Sequence, residues 1–185
     1  SFENNLGGAG IYTIHITKTT YENWGSSFTG CEYGVTSGPG IYVGNGVTDL
    51  RFTGGIYQQA GANGFDIYGQ RIQINGVAVR ACSNDGIYLG STSANCVIEG
   101  NICRGNGGYG INLASGVTYA TVGNNDFLGN STGASSIASG VKATSKIKNN
   151  QGINDYETSV SSAPDYINQE ALVAGQWYKA KATST

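Results

Sequence analysis

The chain has little of what helices, membrane spans and metal centres are built from. It contains no Met, 2 Pro and only 12% charged residues in 185, and Gly, Asn and Ser stand where a helical protein uses Ala, Leu, Glu and Lys. That poverty argues for an all-β chain. No apolar run approaches the roughly 20 residues of a spanning helix, and a formal charge of −2 gives no electrostatic reason to expect nucleic acid or an anionic membrane as partner. Neither nucleic acid nor membrane insertion is expected. The cysteines, Cys31, Cys82, Cys96 and Cys103, lack the C-x-x-C spacing of zinc sites, and no Asp cluster supplies an oxygen cage for calcium. No metal and no cofactor is expected. The cysteines read as free, small core hydrophobes, with one bridge left open, and the lone histidine, His15, reads as a surface residue.

What the chain has is a phrase that recurs: Gly40-Ile41-Tyr42-Val43, Gly64-Phe65-Asp66-Ile67, Gly86-Ile87-Tyr88-Leu89 and Gly110-Ile111-Asn112-Leu113. The interval between these glycines is nearly constant, a regularity that suits short strands wound into a solenoid whose coils bury their apolar faces on one another. A looser copy, Gly10-Ile11-Tyr12-Thr13, stands upstream. The chain opens on Ser1, in or just before a repeat, as a processed or truncated piece of a longer protein would.

Aligned on the glycines, the coils form columns. Residues one and three after each glycine, from Ile11/Thr13 through Ile41/Val43, Phe65/Ile67 and Ile87/Leu89 to Ile111/Leu113, alternate as inward strand positions do. A second strand reads Leu50-Arg51-Phe52, Ile72-Gln73-Ile74, Cys96-Val97-Ile98 and Ala120-Thr121-Val122, and a third inward column is Tyr57, Val79, Cys103 and Phe127. Three strands per coil predict a parallel β-helix of about six coils, roughly 30 Å tall at about 4.8 Å per coil. Residues 1–153 form this helix in the prediction, and 154–185 a C-terminal linker and capping or trimer-contact segment closed by Trp177 and Tyr178. Gly55, Val77, Asn101, Asn125 and Asn150 share one corner, where stacked asparagines predict a hydrogen-bonded ladder, and Asn106 and Asn130 a second.

The spacing Ile98-x-x-Asn101-x-Cys103-x-x-Asn106-x-x-x-Gly110-Ile111, repeated from Val122 to Asn130, resembles the right-handed parallel β-helix of the pectate-lyase-like superfamily, and the short non-repeating segment after Ile153 is most similar to the C-terminal part of a bacteriophage tailspike. The resemblance implies a homotrimer on the virion that binds a bacterial surface polysaccharide, capsule or lipopolysaccharide, with depolymerisation left open. A standalone bacterial polysaccharide lyase or uronan epimerase, secreted, is the alternative, and a non-catalytic structural shaft a third. If the chain is an enzyme, it is a polysaccharide depolymerase.

The outward column Tyr12, Tyr42, Asp66, Tyr88, Asn112, flanked by Tyr68 and Tyr109, suits sugar rings, which stack on aromatics and bond to polar tips; tyrosine is also simply a good strand residue. Asp66 and Asp85, on neighbouring coils, are the candidate catalytic pair, with backbones very roughly 11 Å apart by strand geometry, a separation suited to inversion. Asp85 also reads as a turn carboxylate bonded to its own backbone, the ordinary use of such a residue before a glycine. Arg80 and Arg104 occupy one position in successive coils, where they would neutralise an acidic glycan or form an intersubunit ion-pair row with Glu99 or Glu22. Two spellings are set aside: Gly105-x-Gly107-x-x-Gly110 lacks the helix a dinucleotide site needs, and the sequon Asn130-Ser131-Thr132 falls in a ladder corner.

Overall fold

The computed structural model describes residues 14–17 and 25–155. Its strands in chain order are β1 (Ile14–Ile16), β2 (Ser27–Thr29), β3 (Glu32–Tyr33), β4 (Ile41–Val43), β5 (Arg51–Thr53), β6 (Ile56–Gln58), β7 (Phe65–Ile67) and β8 (Gln73–Asn75). There follow β9 (Ala78–Arg80), β10 (Ile87–Leu89), β11 (Val97–Glu99), β12 (Ile102–Arg104), β13 (Tyr109–Leu113), β14 (Thr121–Gly123), β15 (Gly133–Ile137), a one-turn helix α1 (Ser139–Lys142) and β16 (Lys146–Lys148). Corresponding strands of successive coils pair in parallel. The first sheet runs β1-β4-β7-β10-β13-β15, the second β2-β5-β8-β11-β14-β16 and the third β3-β6-β9-β12. This is an all-β parallel solenoid of about five coils. Among the described residues the third sheet stops at β12, and the isolated bridges Ile102 to Asp126 and Asp126 to Gln151 carry it further.

The inward columns are those read from the sequence. Ile41, Val43, Phe65, Ile67, Ile87, Leu89 and Ile111 are fully buried, as are Phe52, Ile74 and Ile98 of the second sheet and Tyr57, Val79 and Cys103 of the third. The first coil differs. Ile14 and Ile16 pair with Ile41 and Val43, so Ile-His-Ile, not the Gly10 copy, begins the column; alternation of two β-branched residues suffices there without a glycine. Gly10 to Thr13, Glu22 and the C-terminal segment with Trp177 and Tyr178 lie outside the described residues.

The repeat glycine owes its place to close approach. A Cβ at Gly40 would overlap the Tyr33 ring, which lies across it to donate its hydroxyl to the Gly64 carbonyl at 3.0 Å. At Gly110 an added Cβ would stand 2.7 Å from the Asn130 amide and 2.8 Å from Phe127. The third sheet's large side chains therefore pack onto the bare backbone that opens the first sheet. In the upper coils those side chains are aromatic, with Tyr57 meeting Phe65 at 4.7 Å and Tyr33 at 5.1 Å between ring centroids.

Both asparagine ladders form. Asn125 Oδ1 accepts the Asn101 backbone N–H and side-chain amide, each at 2.9 Å, while Asn125 Nδ2 donates to Asn150 Oδ1 at 2.8 Å and to the Ile98 carbonyl at 2.9 Å. Asn130 serves Asn106 in the same way, at 3.0 and 2.9 Å. The residue before Asn125 has the opposite task. Asn124 turns the corner in the left-handed region, at φ +56°, where preceding coils use Gly54, Gly76 and Gly100.

These two neighbours yield opposite expectations. Asn125→Ala would leave buried N–H and C=O groups of two coils unpaired and is expected to cost about 3 kcal/mol or more. Asn124→Gly relieves a left-handed asparagine and should change stability by about 0.5 kcal/mol or less. Urea unfolding followed by circular dichroism measures both, and an equal loss in the two variants would contradict the ladder's role.

Candidate functional site

The outward face of the first sheet carries one residue per coil. Register places His15, Tyr42, Asp66, Tyr88, Asn112 and Ser136 in one row. His15 thus takes the place expected for Tyr12. Tyr68 follows β7 and projects beside Asp66, while neighbouring coils have Gly44 and Gly90 at that position. Gly90 admits its ring: a Cβ there would overlap it. The result is an aromatic chain, His15 to Tyr42 at 4.9 Å, Tyr42 to Tyr68 at 5.8 Å and Tyr68 to Tyr88 at 6.0 Å between centroids. Burial, with Asp66 and the neighbouring tyrosines adding to it, pushes the Tyr68 hydroxyl up to about 12, so this phenol stays protonated and able to donate.

Asp66 is half-buried in this row, and Asn63 Nδ2 donates to its Oδ1 at 3.3 Å. Burial raises its pKa; the Asn63 bond opposes the shift and the Asp85 charge adds to it. Asp85 lies in the corner entering β10 and is 8% exposed. Its carboxylate bonds the next coil rather than its own turn: Oδ1 accepts the Tyr109 N–H at 2.7 Å and Oδ2 the Asn112 amide at 2.9 Å. Asn63 Oδ1 in turn accepts the Asp85 N–H at 3.1 Å. Asn63, Asp66, Asp85, Tyr109 and Asn112 are therefore one network. Sequence reasoning did not single out Asn63; its signal was its place just before a repeat glycine, the place Asp85 and Tyr109 hold in the next two coils.

The arginines are elsewhere. Arg80 and Arg104 pair in register on the third sheet, facing away from the tyrosine row. Arg80 Nε donates to Gln58 Oε1 at 2.9 Å, and Arg104 forms an ion pair with Asp126 of its own chain. Within its own chain Arg104 meets Asp126 because Asp126 continues the Ile102 column on the third sheet, whereas Glu99 ends β11 on the second. The expected set thus divides: Tyr42, Asp66, Tyr68, Asp85, Tyr88, Tyr109 and Asn112 gather about the first sheet, and Arg80 and Arg104 do not join them.

A separate concavity of about 560 Å³ opens at the corner between the first and second sheets, with Asp49, Arg51, Arg71, Gln73 and Asn95 in its wall. Arg71 clasps Asp49 through two bonds of 2.7 and 2.8 Å and holds its carboxyl down to about 2. The four cysteines are free, and burial pushes Cys96 up to about 11, as suits inert core thiols. Among the described residues, no three His, Cys, Asp or Glu side chains gather as a metal would need.

Two measurements follow from this geometry. Asp66 holds its proton more tightly folded than unfolded, so its contribution to stability is present at low pH and is lost as pH rises through its raised pKa. Asp66→Asn is expected to melt with wild type near about pH 3 and above it at neutral pH; a difference independent of pH would contradict the assignment. Gly90→Ala should displace the Tyr68 ring while leaving the coil intact, and near-ultraviolet circular dichroism would record the altered tyrosine coupling.

Three parallel sheets stacked in register, turned by asparagine ladders and faced by an aromatic row, were compared with known proteins. Searches of curated proteins and of solved structures returned no match. A family model described as the right-handed beta helix region matches residues 1–162. The chain belongs to the right-handed β-helix family.

Proposed function

We propose that this chain binds a bacterial surface polysaccharide along the outward face of its first sheet, as a bacteriophage tailspike on the virion would. The β-helix fold is compatible with polysaccharide-binding or lyase-like proteins. The observation that carries this reading is the continuous row from His15 through Tyr42 and Tyr68 to Tyr88, edged by Asp66 and Asn112. Its rings succeed one another at about the rise of a coil, so a glycan laid parallel to the solenoid axis meets aromatic surface at each step and polar tips beside it.

The same geometry favours holding the glycan over cutting it at this place. Hydrolysis needs one carboxyl group to donate a proton and another to act on the opposite side. Of the candidate pair, Asp66 bonds Asn63 through one oxygen and stands in the outward row. Asp85 has both oxygens committed to Tyr109 and Asn112 and serves in this reading as a wall that fixes Asn112. The lyase or epimerase alternative loses the support of Arg80 and Arg104, which face another way. Homotrimerisation is part of the proposal, supported by the third sheet, where Ile102 is 52% exposed and Leu128 45% beside Arg104 and Asp126; a second and third copy would cover that surface.

Light scattering on the purified chain tests the trimer, and glycan binding tests the face. Tyr88→Ala is expected to weaken binding roughly three- to tenfold, with the size of the bound polymer unchanged over time. A monomer would remove the tailspike form of the proposal. Binding indifferent to Tyr88 would remove the face, and release of unsaturated uronates would establish the lyase instead.

A further inference from the structure

The charges around the first sheet are one-sided. Its six strands contain no Lys or Arg, and none occurs in the corners that lead into it, residues 37–40, 61–64, 83–86, 107–108 and 131–132. The described cations of the corners that leave it are Arg71, clasped by Asp49, and Lys142 in α1. Every other described cation belongs to another face: Arg51, Lys146 and Lys148 to the second sheet, Arg80 and Arg104 to the third. The face does carry carboxylates, Asp66 in the row and Asp85 just behind Asn112.

We propose that the glycan taken by this face is uncharged, a hydroxyl-rich chain bearing neither carboxylate nor sulfate, and that Asp66 excludes anionic polymers. The inference rests on the reading of the first sheet as a glycan-binding face. A polyuronate laid along the row would bring a negative group to nearly every coil with no described cation on that face to meet it, and like charges brought together at a partly dehydrated surface oppose binding far more than they do in water. Discrimination of this kind comes from a repulsive element placed against the wrong ligand. Asp66 is already short of compensation for a single negative charge, since burial and the Asp85 charge raise its pKa while the Asn63 amide alone lowers it. An uncharged sugar meets no such opposition. It stacks on Tyr42, Tyr68 and Tyr88, and its hydroxyls donate to the Asp66 oxygen that Asn63 leaves free.

The experiment uses the full chain on an array of bacterial glycans sorted into uncharged and uronate-bearing members, followed in solution with galactan, mannan and polygalacturonate. Wild type is expected to hold uncharged members and to bind polygalacturonate on the order of tenfold more weakly or worse. Asp66→Lys is expected to narrow that gap by strengthening polygalacturonate binding, and Asp66→Asn to narrow it less, with circular dichroism confirming that each variant keeps its β-sheet. If polygalacturonate binds as tightly as the uncharged chains and the binding falls in Tyr88→Ala, the inference is overturned and the binding face stands. Indifference of polygalacturonate to a folded Asp66→Lys also overturns it. If no glycan on the array binds in a Tyr88-dependent way, the reading of the face fails and the inference with it.

Discussion

Stacking of backbone on backbone in strict register is the constraint on which everything else in this protein rests. Each coil must leave its peptide groups where the next coil can bond them, so each corner must turn at the same place and with the same sign of φ. The turning residues form three columns in the left-handed region: Gly30, Gly54, Gly76, Gly100, Asn124 and Asn149 between the second and third sheets; Gln59, Ala81, Gly105 and Gly129 after the third; and Gly25, Asp49, Arg71, Asn95 and Tyr119 before the second. Non-glycine residues pay a steric cost there. That an alanine, an arginine and a tyrosine accept it shows that the coil geometry overrides local preference.

The same constraint explains the polar interior. A corner that turns so tightly cannot pair all of its peptide groups with the coils above and below, and asparagine, with an acceptor and two donors on a short stem, completes the pairing at Asn101, Asn125 and Asn150. On the opposite corner Asn63 and Asp85 do the equivalent work with the polarity reversed, each accepting an N–H from the following coil. That arrangement connects interior to surface: Asp85 completes a buried corner with one oxygen and steadies the outward Asn112 with the other. The chemistry of the face is thus inseparable from the bonding that holds the coils together.

Much of this was legible in the sequence because stacking converts a three-dimensional neighbour into a fixed spacing, the interval from one repeat glycine to the next. The inward columns, both asparagine ladders and the row Tyr42, Asp66, Tyr88, Asn112 are all readings of that spacing. Where the spacing changes, legibility ends. The first coil joins the stack through Ile14, which stands farther upstream of its partner Ile41 than the regular interval would place it, and alignment on Gly10 misplaced it. The Tyr68 ring depends on the absence of a side chain at Gly90, the equivalent position one coil on, a match of unlike residue types that a search for recurring residues does not announce. Asp85 looked like a local turn residue, since nothing nearby in the chain announces that its acceptors serve Tyr109 and Asn112. Arg80 and Arg104 were correctly aligned with each other, but common spacing says nothing about which face of the solenoid a column occupies relative to another.

The outward row has a further consequence, for how such a protein changes over evolutionary time. Its successive members are equivalent positions of one repeated unit, so duplication of a single coil inserts another rung without disturbing any existing corner, provided that the new unit brings the same turning residues. In the proposed role the length of glycan that the face spans is a count of units, adjustable in whole steps, while a rung such as Tyr88 can change by one substitution and a rung such as Asn112 is tied to a corner through Asp85. In that role reach and selectivity would change by different routes.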